Sequence, residues 1–104
     1  MSVREINSAV FDDSIKSGVS VVDFNADWCG PCKMLGPVLA KLSEEFDGKA
    51  SFYAVNVDHN PDLAARYGII SIPFVGIFKD GQLADSNVGF VPEPAMKAFI
   101  EKNL

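Results

Sequence analysis

The only two cysteines of the chain stand three positions apart, in Trp28-Cys29-Gly30-Pro31-Cys32-Lys33. This spacing suggests paired sulfur chemistry and constrains what can surround it. Residues 21–26 precede the pair as an apolar run that reads as a buried strand, and Leu35, Val38, Leu39, Leu42 and Phe46 follow it at helical spacing. The cysteines therefore belong where a strand hands over to a helix. A helix start leaves its first amide N–H groups unpartnered and carries the positive end of the helix dipole, so it stabilises a nearby anion. Cys29 is placed to gain from this, and a lowered thiol pKa makes its thiolate available as a nucleophile. Pro31 suits a first helical turn, and Gly30 is expected to let the backbone turn tightly. Cys32, one turn further in, is expected to be the more buried and more thiol-like, a sheltered resolving cysteine behind an exposed attacking one.

Two plainer readings stay open at this point: cysteines that are merely structural, and half of a metal site. A zinc site wants about four ligands. The chain offers Cys29, Cys32, the single His59 and carboxylates without ligand spacing, so no metal is expected.

With 104 residues, 48% of them hydrophobic, the chain fits one domain over residues 1–104 with a real core. It is expected to fold alone, as a monomer. A net charge of -5 argues against nucleic acid or an anionic membrane as partner. The start Met1-Ser2-Val3-Arg4-Glu5-Ile6 lacks the apolar stretch of a secretory leader, and no apolar run approaches membrane-spanning length. A cytoplasmic, reducing location is expected, where such a pair is more often redox-active than a structural staple.

Along the chain, residues 3–6 read as an edge strand and Asn7 as the N-cap of a helix that buries Phe11 and Ile15 and ends at Gly18. In the strand at 21–26, Asp23 is anomalous. Either it lies at a wet strand end and caps something nearby, or it is buried with a raised pKa and poised for proton transfer near the thiols. The helix at 31–46 contains Pro37, which is expected to kink it; Lys33 reads as an ordinary solvated lysine. Asp47-Gly48 closes that helix, and 51–57 alternates as a strand. Asn60 and Pro61 read as cap and first turn of a short helix ending at Gly68, which leaves His59 an exposed loop residue with no role. Pro73 belongs at a strand entrance, and Asp80-Gly81 reads as the two-residue loop between strands at 74–78 and 82–88. Gly89 ends the second of these. A last helix starts at Pro92-Glu93-Pro94 and buries Met96, Phe99 and Ile100.

The order β-α-β-α-β-α-β-β-α, with Asp23-Phe24, Ala26, Trp28 to Met34, Pro37, Asn56, Asp58, Tyr67-Gly68-Ile69, Ile72-Pro73, Phe78-Lys79-Asp80-Gly81 and Val88-Gly89, resembles the thioredoxin family along the whole chain. The resemblance implies an α/β thioredoxin fold, a central five-stranded mixed sheet flanked by four helices, with a cis Ile72-Pro73 bond facing the cysteines. It implies a protein disulfide reductase with no bound cofactor beyond a redox-active Cys29-Cys32 disulfide: Cys29 as nucleophile, Cys32 as resolving thiol, and Asp23 moving the Cys32 proton. It further implies that Trp28, Gly30, Pro31, Ile72, Pro73 and Gly89 line an apolar surface for partners, with packing for Trp28 and a strand end for Gly89 as the lesser alternatives. The implied partners are a thioredoxin reductase and client proteins with disulfides, such as peroxiredoxins, ribonucleotide reductase and methionine sulfoxide reductase.

Four positions depart from the family pattern. Ala54 stands where many members place a lysine near the buried aspartate, Phe74 where many have threonine, Asn25 where an aromatic is frequent, and Phe90 where a small residue is common. Without an ammonium neighbour, Asp23 is expected to have a further elevated pKa. Phe90 is expected to add an apolar contact to the partner surface, and whether Phe74 narrows the client range stays open. An oxidase or isomerase is the second reading, disfavoured by Gly30-Pro31 because oxidising relatives usually carry a histidine between the cysteines. A non-catalytic binding subunit is the third.

Overall fold

The pleat of a strand sends successive side chains to opposite faces, and alternation along β2 (Val19–Asn25) buries residues on both. Val21 enters a core with Leu35, Leu39, Leu42, Phe46, Met96 and Ile100, which lie on α2 (Gly30–Glu45), at its C-cap and on α4 (Glu93–Glu101). Val22 and Phe24 enter a second core on the other face, with Phe11 and Ile15 of α1 (Ser8–Ile15) and Leu63 of α3 (Pro61–Arg66). Burial on both faces is why β2 carries apolar residues on both faces, interrupted only at Ser20, Asp23 and Asn25. The same alternation puts Asp23 and Asn25 on the face that carries α2.

The computed structural model describes residues 3–104; Met1 and Ser2, which belong to the start expected to lack a secretory leader, lie outside the described residues. With β1 (Val3–Glu5), β3 (Ser51–Asn56), β4 (Phe74–Lys79) and β5 (Gln82–Val88), the strands form one sheet in the order β1-β3-β2-β4-β5. β1, β3 and β2 run parallel, whereas β4 runs antiparallel to β2, and β5 to β4. Five strands in a mixed sheet with four helices is the expected thioredoxin fold. Asp80 and Gly81 both have positive φ, 50° and 87°, the backbone that a two-residue hairpin demands and Asp-Gly supplies.

Asn7 caps α1, its side chain accepting from the Ala9 N–H at 3.0 Å. Asn60 holds the cap position of α3 but does not cap it: its Oδ1 accepts from the backbone N–H of Ser8 at 2.9 Å, tying α1 to α3. A better-placed donor across the fold has taken the oxygen the local reading gave to its own helix. Phe99 is half-buried rather than buried beside Met96 and Ile100. Helix α2 runs unbroken through Pro37.

Candidate active site

The antiparallel register that pairs Phe24 with Phe74 brings the end of β2 to the start of β4. Whatever follows Phe24 therefore meets whatever precedes Phe74. Cys29 is the N-cap of α2, with Pro31 in the first turn, and its Sγ accepts the Cys32 N–H at 3.2 Å. Cys29 and Cys32 are joined as a disulfide, with their Cα atoms 5.2 Å apart. Together with Ala26 they form a small buried cluster against which Val57 and Ile72 pack.

Two expectations about this turn need correction. Cys29 is no more exposed than Cys32, at 4% against 6%, because capping folds its side chain back over the first turn of α2 and beneath its neighbours. The difference between the sulfurs lies instead in the donated N–H, which points at Cys29. Gly30 already belongs to α2, has no positive φ, and a Cβ there would meet nothing within 4 Å. The turn does not need a glycine.

Asp23 is 4% exposed, so it does not sit at a wet strand end. Its Oδ2 receives the Asn25 side-chain N–H at 3.4 Å, and its Oδ1 has no hydrogen-bond partner among the described residues. Burial pushes the carboxyl up to about 6, and the Asn25 contact opposes this. Its partner in the β2-β3 register is Ala54, which carries no charge. An open cleft lined by Asp23, Asn25, Asp27, Cys32 and Lys33 runs beside the acid and the second cysteine.

Of the other expected site residues, Ile72 packs against the cysteine cluster. Trp28 is 70% exposed, and its indole N–H donates to the Asp58 carboxylate at 2.8 Å. Gly30 and Pro31 are exposed, Ile72 is half-buried, Pro73 is buried rather than surface-lining, and the Ile72-Pro73 bond is cis. Gly89, with φ 95°, donates its N–H to the Pro73 carbonyl at 2.9 Å, which fastens the end of β5 to the cis-proline loop. Phe90 beside it is partly exposed. Phe74 is not at this surface: its ring is buried edge-on to Phe24, with centroids 5.7 Å apart, so it cannot bear on the client range by contact. His59 lies exposed in its loop, and Lys33 is exposed.

Three residues at the site went unassigned in the sequence. Asp58 holds the indole, and Asn56 orders the same loop by accepting the N–H groups of Asp58 and His59. Asn25 contacts the acid. Asn56 and Asp58 stand among the residues that carry the family resemblance, and Asn25 left a local signal, since two residues along a strand share a face. Among the described residues no cluster of three or more histidine, cysteine and carboxylate side chains could hold a metal ion, and no helix is long and apolar enough to cross a membrane.

Comparison with known proteins agrees with this geometry. The family model described as Thioredoxin matches residues 2–102. A thioredoxin of Staphylococcus saprophyticus is 47% identical over 104 residues, covering 100% of both chains. Thioredoxins of Staphylococcus aureus strains Mu50 and MW2 are 45% identical over 104 residues, again with 100% of each chain covered.

Proposed function

The chain belongs to the thioredoxin family, and from that premise we propose that residues 1–104 form a single cytoplasmic domain that carries electrons from a thioredoxin reductase to client disulfides. Dithiol-disulfide exchange at Cys29 and Cys32 is its reaction, and it is a disulfide oxidoreductase. The family implies a reductase and disulfide-bearing clients as partners. Peroxiredoxins, ribonucleotide reductase and methionine sulfoxide reductase are the proposed clients, met by a monomer that binds no cofactor.

In the reduced protein the Cys29 thiolate attacks one sulfur of the client disulfide, forming a mixed disulfide and expelling the other client sulfur as a thiolate. Asp23 accepts the Cys32 proton through the cleft, and the Cys32 thiolate attacks Cys29 Sγ. The mixed disulfide breaks, and the second client sulfur leaves. Two electrons have passed to the client, and the Cys29-Cys32 disulfide remains for the reductase to reduce. Trp28, Gly30, Pro31, Ile72 and Gly89 form the face on which an extended client segment docks. The observation that carries this assignment of roles is the Cys32 N–H aimed at Cys29 Sγ, because it stabilises negative charge on one sulfur only.

The deciding experiment is the equilibrium potential of the pair against glutathione or a dithiol buffer. Thioredoxins mark the scale at about -270 mV and disulfide isomerases at about -180 mV, as reference points. A value near the first supports the reductase; one near the second replaces it with an oxidase or isomerase. Trapping of client mixed disulfides by Cys32→Ser, with none trapped by Cys29→Ser, tests the order of attack.

A further inference from the structure

The buried acid has two oxygens in different circumstances. Oδ2 is held by the Asn25 amide at 3.4 Å, whereas Oδ1 is buried without a partner among the described residues. A carboxylate can only accept, so the amide must turn its N–H toward it. We propose that Asn25 is the positioning residue of the proton-transfer site: its amide fixes Oδ2 and leaves Oδ1 as the oxygen that takes up and returns the proton. The inference rests on the reading of Asp23 as the proton carrier.

The surroundings leave this task to the amide. From β3 the residue in register with Asp23 is Ala54, and from β4 it is Val75, neither of them charged. The titratable groups on the cleft are Glu5 of β1, Asp27 of the following loop, and Cys32 and Lys33 of α2. Burial raises the proton affinity of the carboxyl, and the Asn25 amide is the one contact that draws it down. A donor matters more to the carboxylate than to the neutral acid, so the amide favours the unloaded state. Asn25 thus does by hydrogen bonding what a neighbouring cation would do by charge. Because the two residues lie two apart on one strand, sheet packing sets their geometry in advance.

The test uses the full oxidised chain, in which neither cysteine titrates. Carboxyl carbon NMR of Asp23 is followed against pH in the parent, Asn25→Leu and Asn25→Val proteins. Loss of one donor to a charged acceptor is expected to raise the midpoint by about half to one pH unit, and the acid limb of Cys32-dependent exchange in the reduced protein should move with it. In the parent, the Asn25 side-chain amide signals should titrate with the Asp23 midpoint, a measurement that needs no folded variant. Asn25 signals indifferent to that midpoint, or an unchanged midpoint in a folded variant, would overturn the proposal. Failure of the underlying reading looks different: Asp23→Asn would leave the exchange pH profile unchanged while the Asn25 coupling persisted.

Discussion

The indole of Trp28 is tethered to Asp58, thirty residues away, by a 2.8 Å hydrogen bond, while the ring itself stays 70% exposed. An exposed aromatic held by one bond forms a preset apolar surface beside the disulfide. Docking on it then costs less ordering entropy than docking on a free side chain.

Asp58→Ala should release that ring. Trp28 is the only tryptophan, so time-resolved anisotropy reads it without interference, and faster local motion is expected. Global stability should fall by no more than about 1 kcal/mol, the usual net worth of one hydrogen bond. Client exchange should slow by several-fold, on the order of that same energy. Unaltered anisotropy would show that the tether does not hold the ring in solution.

Asp23→Asn should stabilise the oxidised protein at neutral pH. The folded carboxyl, near 6 against an ordinary 3.8, holds its proton more tightly than the unfolded one. Below about 3.8 both states are protonated and the residue costs nothing; as pH rises toward 6 the unfolded chain loses its proton first, and stability falls. Above that window the loss is complete, at about 3 kcal/mol for a difference of about two pH units. Denaturant midpoints of parent and variant should converge at pH 3–4 and separate above pH 6, in the variant's favour, within the window the two values set. Parallel pH curves would contradict a buried, proton-retaining Asp23.

Gly89→Ala and Gly30→Ala should differ in sign. At Gly89 the φ of 95° is one that L side chains rarely adopt, so alanine strains the backbone that donates to Pro73. A loss of about 1 kcal/mol or more is expected in urea unfolding. At Gly30 the backbone is helical and the space is open, so alanine should be neutral or stabilising by about 0.5 kcal/mol. Equal costs at the two sites would mean that backbone conformation is not what distinguishes them.

Phe74→Thr should cost stability and leave client choice alone. The ring is buried against Phe24 in a core that also holds Phe11, Tyr67 and Phe78, and its removal opens a cavity and buries a hydroxyl. About 3 kcal/mol is expected in chemical denaturation. Relative rates on two unlike client disulfides should not change, since the side chain is buried in the core with Phe24. A changed rate ratio in the folded variant would return Phe74 to the partner surface.

Local pattern alone determined the element order, the strand-to-helix position of the cysteines, the Asp-Gly hairpin and the strand entrance at Pro73. Each depends on interactions among residues a few positions apart: period-2 and period-3.6 burial, helix capping, and the φ values that proline and glycine favour. The family's motifs extended this to the partners of the fold, including the cis bond at Ile72-Pro73. What the chain in one dimension could not rank was competition between distant groups. Asn60 could cap its own helix or serve Ser8, and the fold brought Ser8 to it. Phe74 could face a client or the core, and strand register turned it toward Phe24. Cys29 could stand exposed or cap α2, and the first turn drew its sulfur inward. Asp23 was visible as a misplaced charge. The resemblance already set Ala54 beside it, whereas its burial away from water was decided only when three strands set their registers, because a carboxyl's proton affinity depends on everything that surrounds it.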